Sequence, residues 1–248
     1  MNTTANLTRL NIENLTSMWL AAGTNLGQHH SNPFFSYSVI ENSDWPNRLW
    51  FNQDLNEETV LSAKKEMLLN FPKLIVPHWE TSEKPQYKIL EQNGFTKIFE
   101  QIGMYLKVDK PYSKHKEMGL NLVSTKPESI LWSQLFAKSF GYHIHPSILL
   151  ETKNSIRFYI VSHLNKSVGT AITYQTKNVF GVHGVGIIPE SRRNGLANLL
   201  MEQLVNTAIK EETEYITLQA SAMGKGLYLK MGFHEQFKIK NYMLRQAE

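Results

Sequence analysis

The chain of 248 residues contains no cysteine. It therefore has no disulfide bond, no thiolate metal ligand and no cysteine nucleophile to carry an acyl group. It also lacks an apolar run near the roughly 18 residues that a membrane-spanning helix needs, and its first residues do not form a charged-then-apolar signal sequence. We therefore expect a cytoplasmic protein that does not bind a membrane.

The charge of the chain is also small, with a formal net value of +4 at pH 7. No arginine-rich arm, zinc-ligand spacing or aromatic-glycine RNA motif accompanies this excess, so we expect no nucleic-acid partner. His143 and His145 have the spacing of two metal ligands in an extended segment, but no third ligand is indicated, and we predict no metal site. A modest positive excess suits a polyanionic small molecule, and 42% hydrophobic residues suffice for an ordinary core.

A basic turn near the C-terminal end joins a strand-like stretch to a strongly helical one. The turn contains Arg192, Arg193 and Gly195, and a helix with regularly spaced leucines follows it. The first N–H groups of a helix have no partner within the helix, and its dipole adds partial positive charge at that end. Glycine lets the backbone turn and approach an anion closely. The sequence therefore predicts a phosphate site at this turn.

The spacing Arg192-x-x-Gly195-x-Ala197 resembles the signature of the GNAT superfamily of acyl-CoA-dependent N-acetyltransferases, whose loop binds the pyrophosphate of coenzyme A. A second block, residues 218–233, resembles the family's strand and short helix, with Tyr228 followed by a Gly-Phe pair. The resemblance covers about residues 118–246. It implies an α/β fold with a mixed, mostly antiparallel central sheet flanked by helices.

The resemblance also implies which residues contact the acyl donor, acetyl-CoA. The strand before the turn splays from its neighbour in this family, and its backbone binds the pantetheine arm. The contacts implied are Gly186, Ile187, Ile188, Arg192, Arg193, Asn194, Gly195, Leu196, Ala197 and Ser221. For Ser221, a helix N-cap is an alternative role that does not exclude the first.

Two residues match the family's catalytic positions. Tyr228 stands where members carry a tyrosine that protonates the departing thiolate, and packing under the sheet is its alternative role. His183 stands where many members carry a glutamate, and a histidine that is mostly neutral at pH 7 has the chemistry of a general base. A hydrogen-bonded structural histidine is the alternative. Period-2 alternation places His183, Val185 and Ile187 on one face of the strand, while the glycines between them indicate a bulge or a close backbone approach.

The acceptor pocket of the family lies between its first two helices, where this chain has Tyr142, His143 and His145. By family position we expect these side chains to line the pocket. The composition of this segment does not identify the acceptor, which we expect to be a small-molecule or peptide amine. The oligomeric state stays open.

A polar, basic stretch divides the chain into an N-terminal unit of residues 1–108, a linker of residues 109–119 and a catalytic unit of residues 120–248. A shift of 138 positions lays Gly94-Phe95 on Gly232-Phe233 and brings a helix-like run onto the helix after the basic turn. We interpret this as an internal duplication, so the fold class is α/β with tandem GNAT-like domains. Two unrelated α/β units that share a Gly-Phe pair are the alternative.

The first copy lacks the residues that would bind coenzyme A. Residues 54–59 read Asp-Leu-Asn-Glu-Glu-Thr at the position of the basic turn, and Leu90 stands in the place of Tyr228. Carboxylates at that turn would repel a pyrophosphate. We predict that this half is a degenerate GNAT-like domain that packs against the working one.

The sequence thus predicts an enzyme, an acetyl-CoA-dependent N-acetyltransferase that transfers the acetyl group directly to a primary amine in a ternary complex. A regulatory or scaffold protein that binds acyl-CoA without chemistry is the alternative, favoured by histidine in place of glutamate at position 183. Transfer of a longer acyl group is a third possibility.

Overall fold

The computed structural model describes residues 3–81 and 86–245, which form an α/β fold. The helices are α1 (Thr3–Leu26), α2 (Glu57–Asn70), α3 (Tyr87–Gln92), α4 (Lys126–Phe140), α5 (Pro146–Glu151), α6 (Leu196–Lys210) and α7 (Lys225–Lys230). The strands are β1 (Gln28–Ser31), β2 (Phe35–Val39), β3 (Arg48–Phe51), β4 (Ile75–Glu80), β5 (Phe95–Lys107), β6 (Met118–Leu122), β7 (Arg157–His163), β8 (Lys166–Thr176), β9 (Val179–Ile187), β10 (Tyr215–Ala220) and β11 (His234–Leu244). Among the described helices, none is both long enough and apolar enough to cross a membrane.

All of these strands belong to one 11-stranded sheet in the order β1-β2-β3-β4-β11-β5-β10-β9-β8-β7-β6. The pairs β3–β4 and β9–β10 are parallel, and the other neighbouring pairs are antiparallel. The predicted α/β class and the mixed, mostly antiparallel sheet flanked by helices are confirmed. The structure differs from the expectation of one sheet per half, because the two halves join edge to edge into a single sheet.

The joint between the halves is an exchange of their last strands. Strand β5 ends the N-terminal half but pairs with β10 of the C-terminal half. Strand β11 ends the C-terminal half but pairs with β4 of the N-terminal half. The two exchanged strands also pair with each other over most of their length. Each half therefore completes the other half's sheet.

The order of elements recurs in the two halves, as the predicted duplication requires. Helix α3 (Tyr87–Gln92) and helix α7 (Lys225–Lys230) lie 138 positions apart in the sequence. The first residues of α2 and α6 are separated by nearly the same distance, which differs from 138 by one position. Leu90 and Tyr228 occupy equivalent buried positions on the two short helices. The C-terminal half begins with an additional edge strand, β6. Among the described residues, the N-terminal half has no equivalent strand, because it begins with α1.

Helices cover both faces of the sheet. Helices α1, α4 and α5 pack on one face around a cluster that contains Met18, Trp132 and Ile148. Helix α6 covers the other face of the sheet in the C-terminal half. Its buried residues Leu200, Leu204 and Ala208 recur at helical spacing, and this apolar stripe packs against the sheet. Helices α2 and α3 cover the corresponding face of the N-terminal half.

Local sequence signals fix the ends of α4 and the connection between the halves. Thr125 and Glu128 form a capping box at the start of α4, and Gly141 ends the helix in the left-handed region. The predicted linker is irregular until β6 begins at Met118. It is held on α6, since Asn206 accepts a hydrogen bond from Tyr112 N at 2.8 Å and donates one to Tyr112 O at 3.1 Å. Residues 1–2 and 246–248 of the predicted units lie outside the described residues.

Candidate active site

The C-terminal half contains a V-shaped opening between the parallel strands β9 and β10. The two strands pair only where residues 179–181 meet residues 215–217. Beyond that point, β9 continues to Ile187 and β10 to Ala220 without pairing with each other. The edge of β9 that faces the opening, which includes the predicted pantetheine contacts Gly186 and Ile187, therefore has backbone groups available to a ligand.

The basic turn lies at the end of β9 and leads into α6. After Ile188, a 3₁₀ turn at Pro189–Ser191 is followed by Arg192, and then by Arg193 and Gly195 with positive φ values of 65° and 72°. No side chain caps α6, whose N-cap is Gly195. The first N–H groups of α6, including those of Leu196 and Ala197, form no hydrogen bond to a described residue. Such a turn presents several amides and a helix dipole to an anion.

The two arginines of the turn differ in their contacts. Arg192 donates from Nε to Ile187 O and from Nη2 to Ser139 O, both at 2.9 Å. It thus ties the end of α4 to the end of β9. Arg193 is exposed and makes no ion pair among the described residues. Asn194 donates to Ser191 O at 3.3 Å, which closes the turn.

The equivalent helix of the N-terminal half, α2, has the opposite chemistry at its N-terminus. Asn56 and Thr59 form a capping box, with Thr59 N donating to Asn56 Oδ1 at 2.9 Å. Glu57 and Glu58 occupy its first turn. The side-chain cap therefore satisfies the helix end, and the two carboxylates complement its dipole without an external anion.

The N-terminal half has its own opening, because β3 and β4 pair only at Arg48 and Ile75. A cavity of about 590 Å³ lies there, and its lining includes Asp54, Glu13 and Trp79. Arg9 also lines this cavity but forms an ion pair with Glu13. The cavity therefore lacks the basic turn that the C-terminal half presents to a phosphate.

Tyr228 lies on α7, on the α6 side of the sheet. Its side chain is 9% exposed and packs on Phe233 with ring centres 5.6 Å apart. Burial raises the pKa of Tyr228 to about 12, so the phenol is protonated at neutral pH. Its hydroxyl forms no hydrogen bond to the described part of the chain, which leaves the proton available to a ligand. Ser221 accepts a hydrogen bond from Gly224 N at 3.2 Å and thereby stabilises the turn before α7.

His183 lies on the opposite side of the sheet from Val185 and Ile187, so the predicted common face is wrong. Val185 and Ile187 pack in the cluster under α6, whereas the His183 ring contacts α1. The physical reason is a bulge at Gly184, where φ is +55° and the register with β8 shifts. One extra residue inverts the alternation of side chains along a strand.

Both ring nitrogens of His183 face side-chain amide oxygens, and the neutral ring, which carries one N–H, donates a hydrogen bond to only one of them. Nδ1 lies 3.0 Å from Gln219 Oε1, and Nε2 lies 3.2 Å from Asn14 Oδ1. Burial lowers the pKa of His183 to about 4, partly offset by the bond to Gln219. The imidazole is therefore neutral at pH 7. These contacts favour the structural role of His183 over the general-base role.

The predicted acceptor-pocket residues lie in the connection between α4 and α5, which docks on the N-terminal half. His143 N donates to Asp44 Oδ2 at 2.7 Å, and Asp44 N donates to His143 O at 2.8 Å. His145 caps α5 by accepting from Ser147 N at 3.3 Å. Tyr142 packs its ring against Phe136 with centres 5.0 Å apart. Both histidines thus have structural roles through their backbone or cap, and Tyr142 is partly exposed.

Several residues of this region were not identified from the sequence. Asn11 and Asn14 are fully buried on α1, and Arg48 lies beside Tyr142 on the first strand of the N-terminal opening. The sequence contains a signal that could have identified the two asparagines as buried. The apolar residues around them recur at helical spacing, and this pattern places both amides on the buried face of α1. Among the described residues, no group of three or more His, Asp or Glu side chains is placed to hold a metal ion.

Residues 126–241 match the family model described as an acetyltransferase (GNAT) domain. The predicted resemblance is therefore confirmed for the C-terminal half. No curated protein matches the chain.

Solved structures share the fold of the whole chain. A GCN5-related N-acetyltransferase from Kribbella flavida superposes with a TM-score of 0.73 at 13% identity, covering 100% of this chain and 97% of that one. A GCN5-related N-acetyltransferase from Sphaerobacter thermophilus gives 0.64 at 13% identity, with 88% and 82% covered. A tandem GNAT protein from the clavulanic acid biosynthesis pathway gives 0.57 at 9% identity, with 86% and 79% covered. A degenerate N-terminal half is compatible with this tandem arrangement.

Proposed function

Because residues 126–241 are a GNAT acetyltransferase domain, we propose that the protein transfers an acetyl group from acetyl-CoA to a primary amine. The observation that carries this proposal is the N-terminus of α6, which no side chain caps and which follows a basic turn at the mouth of the β9–β10 opening. The equivalent helix α2 is capped and acidic, so the proposal assigns coenzyme A to the C-terminal half alone.

The residues that would hold the pyrophosphate are the backbone of residues 192–197 and the side chain of Arg193. The edge of β9 at Gly186, Ile187 and Ile188 would bind the pantetheine arm, and Ser221 stands across the opening at the end of β10. When bound, acetyl-CoA supplies the acyl group as a thioester. Backbone N–H groups at the unpaired edge are suited to stabilise the negative charge that develops on the thioester oxygen.

The proposed reaction is direct transfer within a ternary complex. The amine nitrogen forms a bond to the thioester carbon, the carbon–sulfur bond breaks, and the nitrogen releases its extra proton to water. Tyr228 would donate its phenolic proton to the departing thiolate. Holding the two reactants in contact contributes a large part of the rate enhancement, on the order of 7 kcal/mol.

The contacts of His183 bear on how the amine loses its proton. Since both ring nitrogens contact amide oxygens, we propose that His183 positions α1 against β9 and that the amine reacts after losing its proton to water. A general-base role would use the ring nitrogen that carries no proton, and an amide oxygen lies in front of that nitrogen.

A non-catalytic acyl-CoA-binding protein is the second candidate, and the occupied ring of His183 is the observation that favours it. Two measurements separate the candidates. Calorimetry with coenzyme A tests binding, and release of free thiol from acetyl-CoA in the presence of primary amines tests transfer. We expect both to be positive. Binding without amine-dependent thiol release would support the second candidate, and absence of binding would refute both.

A further inference from the structure

The cavity of about 590 Å³ in the N-terminal half passes between β3 and β4, where the two strands separate. Its lining includes side chains from both faces of the sheet. Trp50 and Trp79 lie on the α1 side, next to Trp19, whereas Phe51 belongs to the cluster under α2 and His78 contacts α3. The cavity therefore spans the thickness of the sheet, and its volume is that of a pocket for a small organic ligand.

Two deeply buried polar side chains of the lining have no hydrogen-bond partner among the described residues. Trp50 is 4% exposed and His78 is 8% exposed. Polar groups at this depth are usually paired. The fully enclosed polar atoms without a partner are those of Thr217 and Gln236, so the nitrogens of Trp50 and His78 reach open space. The open space that both side chains line is this cavity, and their nitrogens are available to a ligand there.

The ionised side chains of the described lining leave one negative charge without a counterion. They are Arg9, Glu13 and Asp54. Arg9 pairs with Glu13, and Lys177 also lies 4.0 Å from Glu13. Asp54 forms no ion pair with a described residue. Because Asp54 is exposed, it lies at the mouth of the cavity, where its carboxylate attracts a cation.

His78 does not neutralise this carboxylate. Burial lowers its pKa to about 4, although Glu80 and Asp54 act in the opposite direction and Lys240 adds to the lowering. Lys240 and Glu80 pair with each other at 2.6 Å. The imidazole is therefore neutral at pH 7, and one of its nitrogens can accept a hydrogen bond from an ammonium group.

The remaining walls of the cavity suit an aromatic body. The indole rings of Trp50 and Trp79 line it, together with the apolar side chains of Ile12, Leu55 and Pro77. Aromatic rings stack on each other, and their faces attract cations. The capped, acidic start of α2 at the same opening disfavours a phosphate. The lining thus combines a carboxylate, a neutral imidazole, an indole N–H and aromatic walls.

We propose that this cavity is a second ligand site, which binds a protonated amine with an aromatic body and not coenzyme A. The ammonium group pairs with Asp54 and donates a hydrogen bond to His78. The aromatic body packs on Trp50 and Trp79, and an oxygen atom on that body accepts the indole N–H of Trp50. This site goes beyond the proposed function, which concerns the C-terminal half alone.

The experiment compares two probes that differ only in the charged group. Tyramine carries an ammonium group, and tyrosol carries a hydroxyl in its place on the same phenol. Calorimetry measures the Kd of each in the presence of saturating coenzyme A. We expect tyramine to bind roughly 10-fold more tightly than tyrosol, because only tyramine pairs with the carboxylate and its cation is attracted by the indole faces. Equal affinities would overturn the proposal.

A charge variant assigns the preference to Asp54. D54N is expected to reduce the affinity for tyramine to about that for tyrosol. Because Asp54 is exposed and forms no hydrogen bond with a described side chain, its replacement should leave the fold intact. D109N is the matched control, since Asp109 is exposed in the linker and its replacement removes the same charge. A preference for tyramine that survives in D54N contradicts the proposal.

NMR spectra of the indole N–H groups locate the bound amine. The chain has five tryptophans, and the signals of Trp50 and Trp79 are assigned by their loss in W50F and W79F. We expect tyramine to shift both signals. Trp132 is the internal control, because its N–H donates to Tyr159 O at 3.0 Å in the core of the C-terminal half. If tyramine binds but leaves the signals of Trp50 and Trp79 unchanged, the amine lies elsewhere and the proposal is wrong.

Discussion

The Nε2 atom of His183 lies 3.2 Å from the side-chain oxygen of Asn14, although 169 positions separate the two residues in sequence. Backbone carbonyls orient the amides around this ring. Asn14 donates to Tyr174 O at 2.9 Å, which turns its oxygen toward the histidine. On the other side, Gln219 donates to Asn11, so its oxygen also faces the ring. This network joins α1 of one half to the central strands of the other.

Replacing His183 distinguishes positioning from general-base catalysis. We expect H183Q to lower the free energy of unfolding by about 1–3 kcal/mol, because the buried amides around the ring lose a partner. The pH profile of kcat is expected to keep its shape. Denaturant unfolding and pH–rate profiles check these outcomes. A fall in kcat of roughly 100-fold or more with unchanged stability would instead identify His183 as the base.

The lowered pKa values of two buried histidines predict that the protein loses stability in mild acid. Burial lowers the pKa of His78 and of His183 to about 4, against about 6.5 in an unfolded chain. Below pH 6.5 the unfolded state therefore binds more protons than the folded state, and the free energy of unfolding falls as the pH drops toward 4. Each histidine accounts for at most about 3 kcal/mol of this loss.

Unfolding titrations at pH 7 and pH 5 test this dependence in the wild type, H78Q and H183Q. We expect the difference between the two pH values to shrink in each variant. Glu80, Lys240 and Asp54 also act on His78, so the wild-type slope alone does not assign the effect. H29Q is the control for replacing a histidine, because His29 is exposed on β1. An unchanged slope in H78Q and H183Q would contradict the prediction.

Gly195 allows the charge at the N-terminus of α6 to be changed at constant backbone strain. Its φ is +72°, and a Cβ atom there would meet no atom within 4 Å. G195A and G195D should therefore share a strain of about 1–2 kcal/mol, and only aspartate adds a negative charge. We expect G195D to bind coenzyme A roughly 10-fold more weakly than G195A by calorimetry. Equal affinities would place the pyrophosphate elsewhere.

Removing the hydroxyl of Tyr228 tests the proposed proton donor. We expect Y228F to reduce kcat by roughly 100-fold, with coenzyme A affinity and stability close to wild type, because the hydroxyl has no hydrogen-bond partner among the described residues. Steady-state kinetics and calorimetry measure the two effects. Y215F is the control, since Tyr215 begins β10, at the end where the strands still pair. Unchanged kcat in Y228F would leave Tyr228 as a packing residue.

Features with strong local signals could be predicted from the sequence. Helix α5 has such a signal, because Pro146 occupies its first turn and the His145 side chain caps it. The β7–β8 hairpin follows from its two turn residues, Leu164 and Asn165, which adopt positive φ. The basic turn before α6 was also evident, because glycine and arginine at fixed spacing carry a local physical meaning.

Features that depend on contacts between distant segments could not be predicted. The bulge at Gly184 was one of two interpretations of a glycine in a strand, and only the register with β8 decides between them. The lowered pKa of His183 arises from its burial against α1 of the other half, which no local pattern encodes. The exchange of β5 and β11 likewise depends on pairing partners more than 100 positions apart.

The strand exchange predicts that neither half folds alone. Without residues 118–248, β4 and β5 lose the strand between them, and Tyr242, which is fully buried in the N-terminal core, is absent. Without residues 1–117, β10 loses β5, and β11 loses both of its neighbours. We expect each fragment alone to aggregate, and the two fragments, residues 1–117 and 118–248, to co-purify when co-expressed, as a complex that binds coenzyme A. A soluble, monomeric fragment 118–248 with wild-type affinity would show that the C-terminal half does not need β4 and β5.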